Sequence, residues 1–413
     1  MHRITSCRIC GNPDLVPVLS LGTQALTGVF PRALEEKITS GPLELVKCHG
    51  SESCSLLQLA HSYDSAEMYG ENYGYRSGLN QSMVAHLRQK IEHLQRIAPL
   101  DADDVVLDIG SNDGTLLSAY PQGPALFGMD PTAQKFRRFY QDRIRVVPDF
   151  FSAERFLQES GGRRARIVTS IAMLYDLEDP LSFIRQVASV LADDGIWHFE
   201  QSYMPLMLKM TAYDTICHEH VEYYGLFQIE WMLERCGLKL LDVQTNLVNG
   251  GSFAVTAAPM DSPLAPATDA IDEIRRSEAS LGLDALDPYI AFSLRVREHK
   301  QLLCDRVGEV IRSGGLLLGY GASTKGNVIL QYCGFGPSEI PAIAEVNPDK
   351  FGAFTPGTGI PIISEEQAHA MRPSHLLVLP WHFRENLIQR ESAFLAGGGK
   401  MLFPLPAIEI LSR

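Results

Sequence analysis

"DDVVLDIGSNDGTLLSAY", residues 103–120, decides how this chain folds. Val105, Val106 and Leu107 make a continuous apolar run, as expected of a strand buried on both faces of a parallel sheet. Thr115 to Tyr120 reads as the helix after it. Between them, Gly110 and Gly114 permit a tight turn in which backbone approaches a ligand closely. The dinucleotide fingerprint G-x-G-x-x-G is missing here. A second strand, "ALFGMD" (125–130), ends in Asp130, and an acid at that point suits the two hydroxyls of a ribose. Strand, glycine turn, helix, strand and acid together fit S-adenosylmethionine better than a pyrophosphate. The expected cofactor contacts are Asp108, Gly110, Ser111, Asn112, Gly114, Asp130 and its neighbour Pro131. Asp149 and Phe150, in "VVPDFF" (146–151), stand where an adenine could sit.

The pattern repeats outward. "RIVTSIAMLYDLEDP" (166–180) and "GIWHFEQSYM" (195–204) read as further strands, and "IEWMLERCGL" (229–238) as a helix. "LKLLDVQT" and "GSFAVTA" make a late antiparallel hairpin around "NLVNGG". Strands alternating with helices predict an α/β fold with a doubly wound sheet, of the class I S-adenosylmethionine methyltransferase type. A polar helical connector is expected over 263–313, then a second, Rossmann-like α/β unit over 314–413. Its turn "GYGASTKGN" sets Ser323, Thr324 and Lys325 at a helix start, where backbone amides, hydroxyls and a lysine suit a phosphate group. The methyltransferase unit itself is expected over 69–262.

The first 68 residues differ in kind. "CRICG" supplies Cys7 and Cys10, and "CHGSESC" supplies Cys48 and Cys54. Two thiolate pairs on tight loops can close a tetrahedron around zinc, which would be structural because no coordination position stays open. The second pair is spaced more widely than usual, so His49 could replace one of its cysteines. A net charge of −13 argues against a nucleic-acid surface, which needs clustered Lys and Arg. No apolar run approaches the ~20 residues of a membrane span. With no apolar signal core in "MHRITSCRIC", a cytoplasmic protein is expected, and a monomer.

"YDTICHEHVEYY" (213–224) is the densest titratable cluster. HExxH spacing is absent, and His218 and His220 lack an evident third metal ligand. Proton transfer therefore suits the stretch better than metal binding, although a structural polar loop stays open. His220 is the candidate base, Glu219 and Glu222 could orient its imidazole, and Tyr223 or Tyr224 could line the pocket. "YGENYGYRSGLN" (69–80) adds a tyrosine-rich loop before the first strand, with Tyr73 a candidate substrate contact.

"CRICG", "QALTGVFP", "YGYRSG", "LDIGSNDGTLL", "YDTICHEHVEYY", "NGGS" and "GYGASTKGN", in that order, resemble the sugar 3-C-methyltransferases of deoxysugar biosynthesis over essentially the whole chain. The resemblance implies methylation at C3 of a nucleotide-linked 4-keto-6-deoxyhexose carried on dTDP or GDP. It also implies a base at His220, with Glu219 beside it and Tyr75 across the pocket; after His220, Tyr75 and His218 are the next candidates for the base. Asn249 precedes the double glycine where a histidine is expected, which bears on the substrate. Two other readings stay open: an O- or N-methyltransferase on another small molecule, and an oxidoreductase holding NAD on "GYGASTKG" with Glu345 on the ribose.

Overall fold

The computed structural model describes residues 1–64, 68 and 76–412. Its central sheet contains β1 (Val105–Ile109), β2 (Ala125–Met129), β3 (Ile144–Val147), β4 (Ala165–Ile171), β5 (Leu191–Ser202), β6 (Leu238–Asn246) and β7 (Ser252–Pro259). They lie in the order 6-7-5-4-1-2-3. Only β7 runs antiparallel to its neighbours β5 and β6. Every residue of β1 is buried, as its apolar run requires. The helix Gln81–Ile97 packs on this sheet through Met83, Leu87, Ile91 and Leu94, and the Asn80 side chain caps it by accepting from the Ser82 amide.

The helix expected over Thr115–Tyr120 is instead a single 3₁₀ turn, Leu117–Ala119. Pro121 follows, and it drives Tyr120 into an extended conformation (ψ 149°) that ends the turn.

A second sheet contains β8 (Leu317–Tyr320), β9 (Ile343–Glu345), β10 (Ile362–Ser364), β11 (His375–Val378), β12 (Lys400–Phe403) and β13 (Glu409–Leu411), in the order 10-9-8-11-12-13. All but β13 are parallel, which is the order of a Rossmann sheet. Between the sheets run the helices Thr268–Ser280 and Asp287–Arg312. The longer one buries Tyr289, Phe292, Val296 and Leu303 in the core that also holds the second sheet.

The N-terminal strands Leu15–Ala25, Ser40–Cys48 and Leu57–Leu59 form an antiparallel sheet. Its fourth strand comes from far along the chain: Glu222–Tyr223, directly after "CHEH", pairs with Gln58 and Leu57. The candidate base is therefore tied to the cysteine-bearing segment by main-chain hydrogen bonds. No helix among the described residues is long and apolar enough to cross a membrane.

Candidate active site

The carboxyl ends of consecutive strands gather the first set of residues. Gly110 (φ 71°) and Gly114 (φ 74°) are left-handed, so the turn after β1 needs residues without a Cβ. A Cβ on Gly114 would come within 2.6 Å of the Tyr140 ring. Asp130, at the end of β2, accepts from the Asn112 amide at 2.9 Å with one oxygen, and from the Thr132 amide and hydroxyl at 2.6 Å each with the other. A carboxylate offers about four acceptor sites, so three are spent on holding the turn and about one remains for a ligand. Asp108 lies beneath, accepting from the Thr169 hydroxyl at 2.6 Å, and burial pushes its carboxyl up to about 7. Asp149 and Phe150 are exposed beyond β3, and Pro131 is half-buried. These residues form one edge, with a backbone turn and a buried acid suited to a neutral ribose.

The segment before the first helix lies over this turn. The Ser77 and Gly78 amides donate to the Asn112 and Asp113 side chains, both at 3.0 Å. Tyr73 and Tyr75 lie outside the described residues.

The loop after β4 leads to the second set. The ring of Tyr175 meets that of His220 edge-on, with centroids 4.3 Å apart, and its carbonyl accepts from the Val221 amide. His220 Nδ1 donates to the Thr215 carbonyl at 2.7 Å. That bond fixes the tautomer: Nε2 carries the lone pair, and it has no hydrogen-bond partner among the described residues. Burial, then the charge of Lys325, lowers His220 to about 3, so the imidazole is neutral near pH 7.

The neighbours of His220 have other partners. Glu219 Oε2 accepts from the Thr27 hydroxyl at 3.4 Å, and its carboxyl fills the space beside Gly28, so the Thr215 carbonyl rather than a glutamate orients the imidazole. His218 is fully buried, with Nε2 3.3 Å from the Gly41 carbonyl and its ring edge-on to Tyr63. Tyr224, expected at the pocket wall, is fully buried, and its hydroxyl donates to Glu222. Burial raises Glu222 to about 8, which protonates it near neutrality.

The second sheet closes the site with its own carboxyl edge. Trp381, after β11, donates its indole N–H to Asp214 Oδ2 at 2.7 Å. Lys325 donates to the main-chain carbonyl of Asn249, which is itself left-handed (φ 54°). Asparagine tolerates that conformation better than most residues, and histidine shares the tolerance. The glycine after it, Gly250, is left-handed as well (φ 87°), and a Cβ there would press to 3.2 Å from the Trp381 ring. Ser323 caps its own helix by accepting from the Gly326 amide at 3.0 Å. Glu345 takes the Ala322 amide at 2.9 Å and Lys350 the Ala322 carbonyl at 2.7 Å. Glu345 also accepts from the Val346 and Asn347 amides with its other oxygen, so it braces this turn much as Asp130 braces the first. Thr27, Asp214 and Asn327 lie in the quoted "QALTGVFP", "YDTICHEHVEYY" and "GYGASTKGN" without being singled out there, and Trp381 carries no motif at all.

Cys7, Cys10, Cys48 and Cys54 converge, all four sulfurs lying within 4.8 Å of one another. The Cys7–Cys54 and Cys10–Cys48 separations are 3.4 and 3.5 Å. A zinc ion with Zn–S bonds of about 2.3 Å needs sulfurs roughly 3.8 Å apart, so this donor set fits it without His49. The Asn12 amide donates to Cys48 Sγ at 3.3 Å, a bond that favours the thiolate over the thiol.

The chain is 32% identical to the C-methyltransferase NovU of Streptomyces niveus over 420 residues, covering 99% of this chain and 97% of that protein. It belongs to the C-methyltransferase family. Three family models tile it: a zinc binding domain over 7–69, a methyltransferase domain over 83–243 and a C-methyltransferase C-terminal domain over 247–406. This C-methyltransferase uses S-adenosylmethionine and carries zinc in its cysteine cluster. Among solved structures, an S-adenosylmethionine-dependent methyltransferase from Clostridium acetobutylicum is 14% identical, with TM-score 0.34 over 43% of this chain and 92% of its own. The CcbJ methyltransferase from Streptomyces caelestis is 11% identical, with TM-score 0.33 over 42% and 89%.

Proposed function

We propose that this C-methyltransferase methylates C3 of a nucleotide-linked 4-keto-6-deoxyhexose, with His220 as the base. A carbon nucleophile, unlike a hydroxyl or amine, must first lose a proton, and a neighbouring ketone makes that loss feasible by delocalising the electron pair. The His220 tautomer carries the reading: Nδ1 is held by the Thr215 carbonyl, and Nε2 keeps its lone pair with no hydrogen-bond partner among the described residues.

When bound over Gly110–Gly114, S-adenosylmethionine supplies an electrophilic methyl group. Gly110, Ser111, Asn112 and Gly114 would hold it through backbone, Asp130 and Pro131 would sit at its ribose, and Asp149 and Phe150 at its adenine. The sugar enters where the two carboxyl edges face each other, with Ser323 and Thr324 toward the nucleotide and Asn249 toward the hexose. His220 takes the C3 proton, while Glu219 and Thr27 brace the loop on which it stands. The test is product analysis: incubation with S-adenosylmethionine and dTDP- or GDP-linked 4-keto-6-deoxyhexoses, followed by NMR of the product. A methyl on C3 supports the reading, and a methyl on another carbon, or no turnover with either series, overturns it.

A further inference from the structure

We infer that Lys325, carried into the site by the C-terminal glycine turn, is a second catalytic residue, donating a charged hydrogen bond to the C4 oxygen as His220 removes the C3 proton. This rests on the reaction proposed above. Near a helix start the lysine would suit a diphosphate, but its surroundings point inward instead. Its ammonium donates to the Asn249 carbonyl, and the site of a Cβ on Gly250 is 3.7 Å from its Nζ. Burial lowers Lys325 from its ordinary value, and Asp214, itself fully buried, opposes that shift: Trp381 holds one of its oxygens, and the other has no partner among the described residues. Lys325 also acts on both His220 and His382, and it is the one charged group among the described residues with an appreciable effect on either. The mouth of the glycine turn carries both the Glu345 carboxylate and the Lys350 side chain, so it has a lysine of its own for a diphosphate without Lys325.

The charges then balance. The C3–H bond breaks, its proton goes to His220 Nε2, and its electron pair forms the C3–C4 double bond. The carbonyl π pair moves onto the C4 oxygen, so an imidazolium and an enolate appear together with no change in net charge. An ammonium has three N–H groups and Asn249 takes one, which leaves donors for that oxygen. Donors held in place before an oxyanion develops lower the barrier more than most other single devices in catalysis. In the free protein burial, and after it the same cation, keeps His220 neutral, the form a base requires.

The test uses the zinc-loaded full chain with Lys325→Met and Lys325→Gln, and dTDP- and GDP-linked 4-keto-6-deoxyhexoses as probes. Deuterium exchange at C3 without S-adenosylmethionine, and kcat, should fall by ~10²–10³-fold in Lys325→Met, less in Lys325→Gln. Binding of free dTDP or GDP, and of S-adenosylmethionine, should stay within about threefold of wild type. The acid limb of kcat/KM should also move upward in Lys325→Met, because His220 no longer faces a cation. Retained kcat with weakened dTDP or GDP binding would return Lys325 to the diphosphate and overturn the inference, as would loss of cooperative melting in both variants. If wild type exchanges C3 and Lys325→Met does so equally, the inference fails and the His220 reaction stands. If wild type methylates no carbon of either sugar, both fall.

Discussion

The indole of Trp381 and the carboxylate of Asp214, 2.7 Å apart, join the C-terminal sheet to the segment that carries the candidate base. Asp214 is fully buried and its second oxygen has no partner among the described residues, so the indole is its side-chain hydrogen-bond donor, with the charge of Lys325 also favouring the carboxylate. Trp381→Phe keeps the ring and removes the donor. The expected cost is ~1–3 kcal/mol of unfolding free energy, from a buried acceptor left unsatisfied. Urea melts of the two proteins check this, with the double variant Trp381→Phe, Asp214→Asn as the control for additivity.

Zinc should reach the active site through the N-terminal sheet. Cys48 ends one strand, Cys54 precedes Leu57–Leu59, and that strand pairs with Glu222–Tyr223. Cys48→Ser should lower zinc content below one per chain and speed hydrogen exchange over residues 217–224. Elemental analysis and exchange mass spectrometry read both. Zinc loss with unchanged exchange there would separate the metal from the loop.

Asp130 is expected to act mainly as the brace of the glycine turn. Asp130→Ala removes the acceptor for the Asn112 amide and for Thr132, so the turn should loosen. S-adenosylmethionine affinity should fall by the equivalent of ~1–3 kcal/mol, with a lower melting temperature even without ligand. Calorimetry and thermal melts distinguish this from loss of a ribose contact alone, which leaves the free protein unchanged.

Glu222 predicts a pH dependence. Burial raises its carboxyl from 4.5 to about 8, so between these values the folded chain holds a proton that the unfolded chain has released. Stability contributed by this group is therefore lost as pH rises from about 5 to about 8. Glu222→Gln removes the titration, and its stability relative to wild type should improve by roughly 1.4 kcal/mol per pH unit across that window. Paired urea melts at the two ends of the range give the slope.

Much of the fold is legible locally. β1 can be read from three apolar residues, the turn from Gly110 and Gly114, and the zinc site from two cysteine pairs. Those features depend on short-range periodicity and spacing. The segment after Gly114 has the composition of a helix, yet Pro121 holds Tyr120 extended and stops it at one turn. The closure of the site is not legible at all. Asn327 donates to the Thr27 carbonyl at 2.7 Å and Gln331 brackets Ala25, contacts that span about 300 residues and leave no periodic trace. Lys325 illustrates the same limit: its place beside a helix start suggests a phosphate, and only the fold shows its ammonium bonded to the Asn249 carbonyl 76 residues away.

Solvent exchange tests the proposed removal of a carbon-bound proton by His220 without requiring methyl transfer. Wild type is held in D₂O with dTDP- or GDP-linked 4-keto-6-deoxyhexose, and deuterium at C3 is followed by NMR. His220→Asn keeps a polar side chain of similar reach but offers no lone pair of comparable basicity. Wild type should show enzyme-dependent deuterium at C3, and in the variant exchange and methylation should fall by ~10²–10⁴-fold while both ligands still bind. Near-normal methylation by His220→Asn would contradict the proposed role of His220 and place the base elsewhere.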